Sequence, residues 1–300
     1  MSVLVVGSVA LDTVETPFGK VDNAVGGSAT YFSAAASFFT HVNVVAVVGE
    51  DFPHQEIKFL KDRNVNFDGL VITTGQTFRW GGRYNFDLNQ RETLFTHLNV
   101  FENFNPEIPE HYRETPYVFL ANIHPDLQLN VLQKMNRPRL VVMDTMNFWI
   151  ERTPESLKKV LKMIDILIIN DSEVRELAET PNLFFGAKQI QKLGPQIIVI
   201  KKGEHGALLI DRQDYFWAPA FPLEELQDPT GAGDTFAGGF VGYLAMVYDV
   251  SKKSLRKAVI YGSALASFCV EKFSLERLKN LTSPEIEDRF QKFIEMTRCD

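Results

Sequence analysis

The sequence has little of what would tie it to a metal, a membrane or a nucleic acid. Its 300 residues hold two cysteines, Cys269 and Cys299, without metal spacing or a framework of pairs, which suits a reducing compartment. The six histidines, at 41, 54, 97, 111, 124 and 205, show no paired spacing, so a His-ligated metal enzyme has no support. No apolar run approaches the roughly 20 residues of a membrane span. The opening MSVLVVGSVALD lacks a basic leader and runs straight into Gly and Asp, so it reads as a buried strand, and a cytoplasmic protein is expected. With a net charge of −7 and scattered Lys and Arg, the basic footprint of a nucleic-acid binder is missing. The pattern G-x-x-x-x-G-K-[ST] is absent, and the dinucleotide fingerprint fails because Phe236 stands where a third glycine would follow Gly231 and Gly233.

What is present is a rhythm of short apolar runs: SVLVVG, VNVVAVVG, YVFLAN, RLVVMD, DILIIN and QIIVIKKG. They are apolar throughout rather than alternating, which is the pattern of strands buried on both faces. Helix-like segments follow Gly27, Pro125, Pro154 and Ser172, and the chain turns helical after about residue 230, over 236–247, 252–273 and 284–296. Such alternation predicts an α/β fold with a mostly parallel sheet, whose ligands gather at the C-terminal strand ends near Asp12, Asn122, Asp144 and Asn170. One stretch breaks the rhythm. TFRWGGRYNFDLNQRETLFTHLNV from Thr77 alternates like a half-exposed hairpin, with Phe78, Trp80, Tyr84 and Phe86 on one face. With 12–20 it is expected to form a small β-flap over a single 1–300 domain, acting as a lid or as a homodimer contact. From this flap Arg79 and Arg83 are candidates to reach a substrate carboxylate or phosphate, and Trp80 and Tyr84 to stack on a sugar or a nucleobase.

DPTGAGD, from Asp228 to Asp234, carries the chemistry. Its glycines let backbone N–H groups turn inward, and the following helix adds its positive end, which makes an anion cradle with Asp234 at the rim. An Asp before a helix is also an ordinary N-cap. This heptad is the C-terminal signature of the ribokinase-like (PfkB) carbohydrate kinases, which the sequence therefore resembles. Four further matches follow in family order along nearly the whole chain. They are GSVALD ending at Asp12, Gly26-Gly27 before a helix, Asn170 to Glu173 as N-x-x-E, and KKGEHG with Gly203 and Gly206.

The resemblance implies a three-layer α/β sandwich with a small β-flap, and transfer of the γ-phosphate of ATP to a hydroxyl of a sugar. A nucleoside kinase is the alternative within the fold, and a catalytically silent sugar-binding regulatory protein the alternative outside catalysis. It makes Asp234 the base and Gly231, Ala232 and Gly233 the anion hole. Asn170, Glu173, Lys202, Gly203, Gly206 and Ser263 become the ATP site, with Asn170 and Glu173 organising Mg2+ through water. Asp228 and Thr230 become ligands for K+. The substrate site falls on Asp12, Gly26, Gly27, Tyr31, Arg79, Asn122 and Asp144. Two positions depart from the family: Lys202 where Thr is common, and Tyr31 where ribokinases carry Asn. Asn170 with Glu173 is equally an ordinary helix start.

Overall fold

A computed structural model describes residues 1–212 and 214–298, so Cys299 lies outside the described residues. In chain order the strands are β1 (Ser2–Val6), β2 (Ala10–Thr16), β3 (Gly19–Gly26), β4 (His41–Gly49), β5 (Val65–Thr73), β6 (Arg79–Tyr84), β7 (Arg91–His97), β8 (Tyr117–Leu120), β9 (Leu140–Asp144), β10 (Ile166–Asn170), β11 (Ile197–Lys201), β12 (Ala207–Ile210) and β13 (Tyr215–Ala218). Nine form one sheet in the order β13-β12-β11-β10-β9-β8-β1-β4-β5, parallel except for the antiparallel β11-β12-β13 end. The runs expected as strands are these strands, and their unbroken apolar character has a cause. Val3 and Val5 enter one buried cluster while Leu4 and Val6 enter another on the opposite face. Helices cover both faces, giving the expected three layers. The last long helices run Lys252–Cys269 and Ser283–Met296, so the helix expected to reach residue 273 stops four residues earlier.

Helices Ser28–Ala36 and Ala232–Val247 cross in close contact on one face. A Cβ on Gly238 would lie 2.3 Å from the Phe32 carbonyl oxygen, so only glycine permits the approach. That contact brings the start of the first helix beside the start of the second, at the C-terminal end of β1. Among the described residues no helix is long and apolar enough to cross a membrane.

Strands β3-β2-β6-β7 form a separate four-stranded sheet. Here β2 and β6 run parallel with Asp12 opposite Trp80, and β6 and β7 run antiparallel with Tyr84 opposite Arg91. Side chains alternate between faces, so Asp12, Trp80, Gly82, Tyr84 and Arg91 share one face and Arg79 and Arg83 take the other. Phe86 leaves the shared aromatic face expected of it. It lies beyond the end of β6 and is 92% exposed.

Candidate active site

Gly231 caps helix Ala232–Val247 with φ +76°, a left-handed turn that aims the following amides at one point. Asp234 therefore sits inside the first turn rather than before it, and the cap is Gly231, which removes the N-cap explanation of this aspartate. Burial raises the Asp234 carboxyl to about 7, helped by the charge of Asp144 and opposed by Lys201 and Arg91. Asp12, 6% exposed, is likewise raised to about 7 by burial; a hydrogen bond from the Gly27 N–H opposes this, and the charges of Asp228 and Asp234 add to it. Two carboxyl groups poised near neutrality thus face one cleft from two different elements.

The cation among them is Lys201, which sequence reasoning passed over in favour of Lys202. Lys201 is the last residue of β11 and shares the face of Val199, beneath the helices that carry Asp234 and Gly27. Its Nζ lies 3.0 Å from Asp144 Oδ2, and a Cβ on Gly233 would be 2.9 Å from that nitrogen. Burial opposes its charge, but Asp144, Glu173 and Asp234 outweigh burial and hold its pKa above the usual lysine value. Lys202 alternates to the other side, where its ammonium lies 4.8 Å from the centre of the Trp217 ring.

Several expected contacts are corrected. Arg79 faces away from Asp12 and is held by Asp51, at 2.8 Å, and by Asn23. The arginine on the cleft face is Arg91, whose guanidinium lies 5.1 Å from the Trp80 ring and whose charge reaches Asp12, Glu173 and Asp234. Tyr31 is 1% exposed and its ring packs where a Gly231 Cβ would point, so it supports the loop from below. Asn122 has both ends of its amide engaged, accepting from Trp149 Nε1 at 2.8 Å and donating to Met146 Sδ at 3.1 Å. Asp144 does join the cleft, as the partner of Lys201 rather than as a free substrate group. Asn170 Oδ1 accepts from the Glu173 N–H at 2.8 Å and the Ser172 hydroxyl at 2.7 Å, so it caps the helix Asp171–Leu177.

The remaining residues fall around this centre. Glu173 completes the capping box with Asn170, its Oε2 accepting the Asn170 N–H at 2.9 Å; burial raises its pKa to about 7 and the charge of Lys201 opposes this. Gly203 and Gly206, at φ +53° and +86°, bracket the turn after β11. Ser263 is half-buried within helix Lys252–Cys269, beside Gly262, which packs on Phe236. Asp228 is 1% exposed and braces the anion loop by accepting the Thr230 N–H at 2.8 Å and the Ser274 N–H at 3.2 Å. The small sheet touches this loop and the β11 turn at once. Tyr84 Oη meets Thr230 Oγ1 at 3.3 Å, and Asn89 lies against Gly203 and donates to Glu204 at 3.4 Å.

A hard-oxygen cation fits the donors in part. Among the described residues no cluster of three His, Cys, Asp or Glu could hold a metal alone. Glu173 and Asp144 present the one or two carboxylates that a magnesium ion carried on phosphates needs. A shallow indentation of about 470 Å³, lined by His41, Lys61, Asn64 and Asp68, opens at the N-terminal ends of β4 and β5 and gathers none of these groups.

The family model described as pfkB family carbohydrate kinase matches residues 2–279. A cytidine kinase of Thermococcus kodakarensis is 28% identical over 81% of this chain and 88% of its own length. A nucleoside kinase of Methanocaldococcus jannaschii is 24% identical over 76% of this chain and 72% of its own. The crystal structure of a nucleoside kinase from the same organism superposes with a TM-score of 0.77 at 22% identity, over 97% of this chain and 98% of that one. The structure of Burkholderia thailandensis nucleoside kinase in complex with inosine gives 0.76 at 17% identity, over 98% and 99%. At these identities the superpositions speak for the fold.

Proposed function

Because the chain belongs to the pfkB family of carbohydrate kinases, and so is a phosphotransferase with hydroxyl acceptors, we propose that it phosphorylates the primary hydroxyl of a nucleoside. The observation that carries the acceptor class is the inward face of the small sheet. The Trp80 indole packs against Gly82, where a Cβ would come within 2.0 Å of the ring, and the Arg91 guanidinium lies 5.1 Å from the ring centre. This is an aromatic platform beside Asp12, suited to a base with its ribose reaching toward Asp234. The printed activities of the relatives, cytidine kinase and nucleoside kinase, point the same way.

In this reading the 231–233 amides and the helix end bind the γ-phosphoryl group. Asp12 orients the acceptor and Asp234 takes its hydroxyl proton as the new O–P bond forms, the bond to the β-phosphate breaks and ADP leaves. Magnesium, held on the phosphates beside Glu173 and Asp144, supplies charge neutralisation when bound. Asp228 acts as a brace for the anion loop.

The test is ADP release with ATP and Mg2+ across nucleosides and free sugars. Trp80→Leu is expected to raise KM for the preferred nucleoside roughly 10- to 100-fold, the worth of one stacked base, with kcat within a few-fold. Free ribose matching every nucleoside, with Trp80→Leu unchanged, would reject the nucleoside assignment. A pH profile tests the base. Asp234 must be ionised to accept a proton, so kcat/KM is expected to fall tenfold per unit as pH drops below about 7. A flat profile down to pH 5 would exclude a base that titrates near 7.

A further inference from the structure

Lys201 is a nearly enclosed ammonium with unused donors beside the anion-binding turn. Its side chain is 19% exposed, and among the described residues its one hydrogen bond goes to Asp144. An ammonium has three donors, so two are left to be satisfied. It is also placed against the amide turn at Gly233, at the positive end of helix Ala232–Val247, where a cation is repelled and an anion favoured. Asp144, Glu173 and Asp234 offset that repulsion, but only Asp144 bonds the ammonium.

We propose that Lys201 is a catalytic residue for phosphoryl transfer, its ammonium donating to the γ-phosphoryl oxygens opposite the 231–233 amides while Asp144 holds it in place. The helix end and the ammonium converge on the same point from two sides, as a clamp on one anion needs. The β- and α-phosphates, farther from Gly233, gain nothing from it. The proposal rests on the kinase reading for what is transferred, but its test needs no acceptor.

Calorimetry with MgADP and with the magnesium complex of β,γ-imido-ATP separates the γ-phosphate from the rest of the nucleotide. Lys201→Met is expected to weaken the imido analogue at least tenfold while ADP changes by less than threefold. With an acceptor, kcat is expected to fall roughly 10²- to 10³-fold, the loss typical of one donor to a developing charge. Lys201→Arg should restore part of the analogue's affinity. The double variant Lys201→Met/Asp144→Asn also neutralises the carboxylate that Lys201 bonds and serves if the single variant folds poorly; the gap between ADP and analogue should persist in it. Equal weakening of both nucleotides, or a gap that closes in the double variant, overturns the proposal. If the gap appears but the wild-type protein phosphorylates no nucleoside or sugar, the acceptor reading fails and the role of Lys201 stands.

Discussion

Asp234→Asn is expected to lower kcat roughly 10²- to 10⁴-fold, the range of a general base, while MgADP binds within about threefold of wild type. The separation follows from position. The Asp234 side chain is buried among Asp144, Lys201 and Arg91, whereas the anion-binding amides belong to the backbone and persist in the variant. Stability should move the other way. A carboxyl raised to about 7 in the folded protein contributes stability that is fully present below the unfolded value near 4 and lost as pH rises through about 7. Asn does not ionise, so the variant should lose less thermal stability than wild type between pH 5 and 8 in nucleotide-free buffer. Rapid mixing at saturating ATP measures the rate, and a melting series across pH measures the linkage. Turnover near that of wild type would remove Asp234 as the base.

Gly231→Ala is the second large effect. The left-handed backbone costs an alanine about 1–2 kcal/mol, and its Cβ would lie 2.4 Å from the Tyr31 ring, which is buried and has no space to retreat. Overpacking of that kind adds about 1–3 kcal/mol, so the melting temperature should fall roughly 5–10 °C. If the loop shifts instead, the amides leave their common point and kcat should fall roughly 10²- to 10³-fold. Replacing Tyr31 by Leu in the same chain relieves the clash but not the torsion, so partial recovery is the expected outcome. Differential scanning calorimetry alongside turnover distinguishes strain from misplaced amides. A Gly231→Ala protein unaltered in both would mean that the turn is not what aims the loop.

The large sheet was legible because strands buried on both faces need unbroken apolar runs, as SVLVVG and DILIIN show. Asp234 was legible because it lies inside a contiguous heptad. The cations were not, since their roles depend on which face of a strand they occupy. Lys201 and Lys202 are adjacent in sequence, and only the register of β11 against β10 sends one into the cleft and the other over Trp217. Arg79 and Arg83 flank Gly81 conspicuously, yet Asp12 opposite Trp80 puts both on the far face. Arg91 arrives from the other side of the hairpin through its pairing with Tyr84, which no local pattern reveals. The place of Tyr31 beneath Gly231 was hidden for a related reason. It depends on the crossing of two helices far apart in sequence, which brings the ring to within 2.4 Å of where a Gly231 Cβ would lie.

The two contacts of the small sheet, Tyr84 on Thr230 and Asn89 on the turn at Gly203, have a consequence for timing. One is anchored where the phosphoryl group is handed over and the other beside the nucleotide, so the sheet cannot lift from one without loosening the other. In the proposed reading, release of the two products would be a single opening event instead of two independent departures. In that reading the same coupling would shield a nucleotide waiting without an acceptor from water. Idle ATP hydrolysis and slow product escape are then two readings of one hinge.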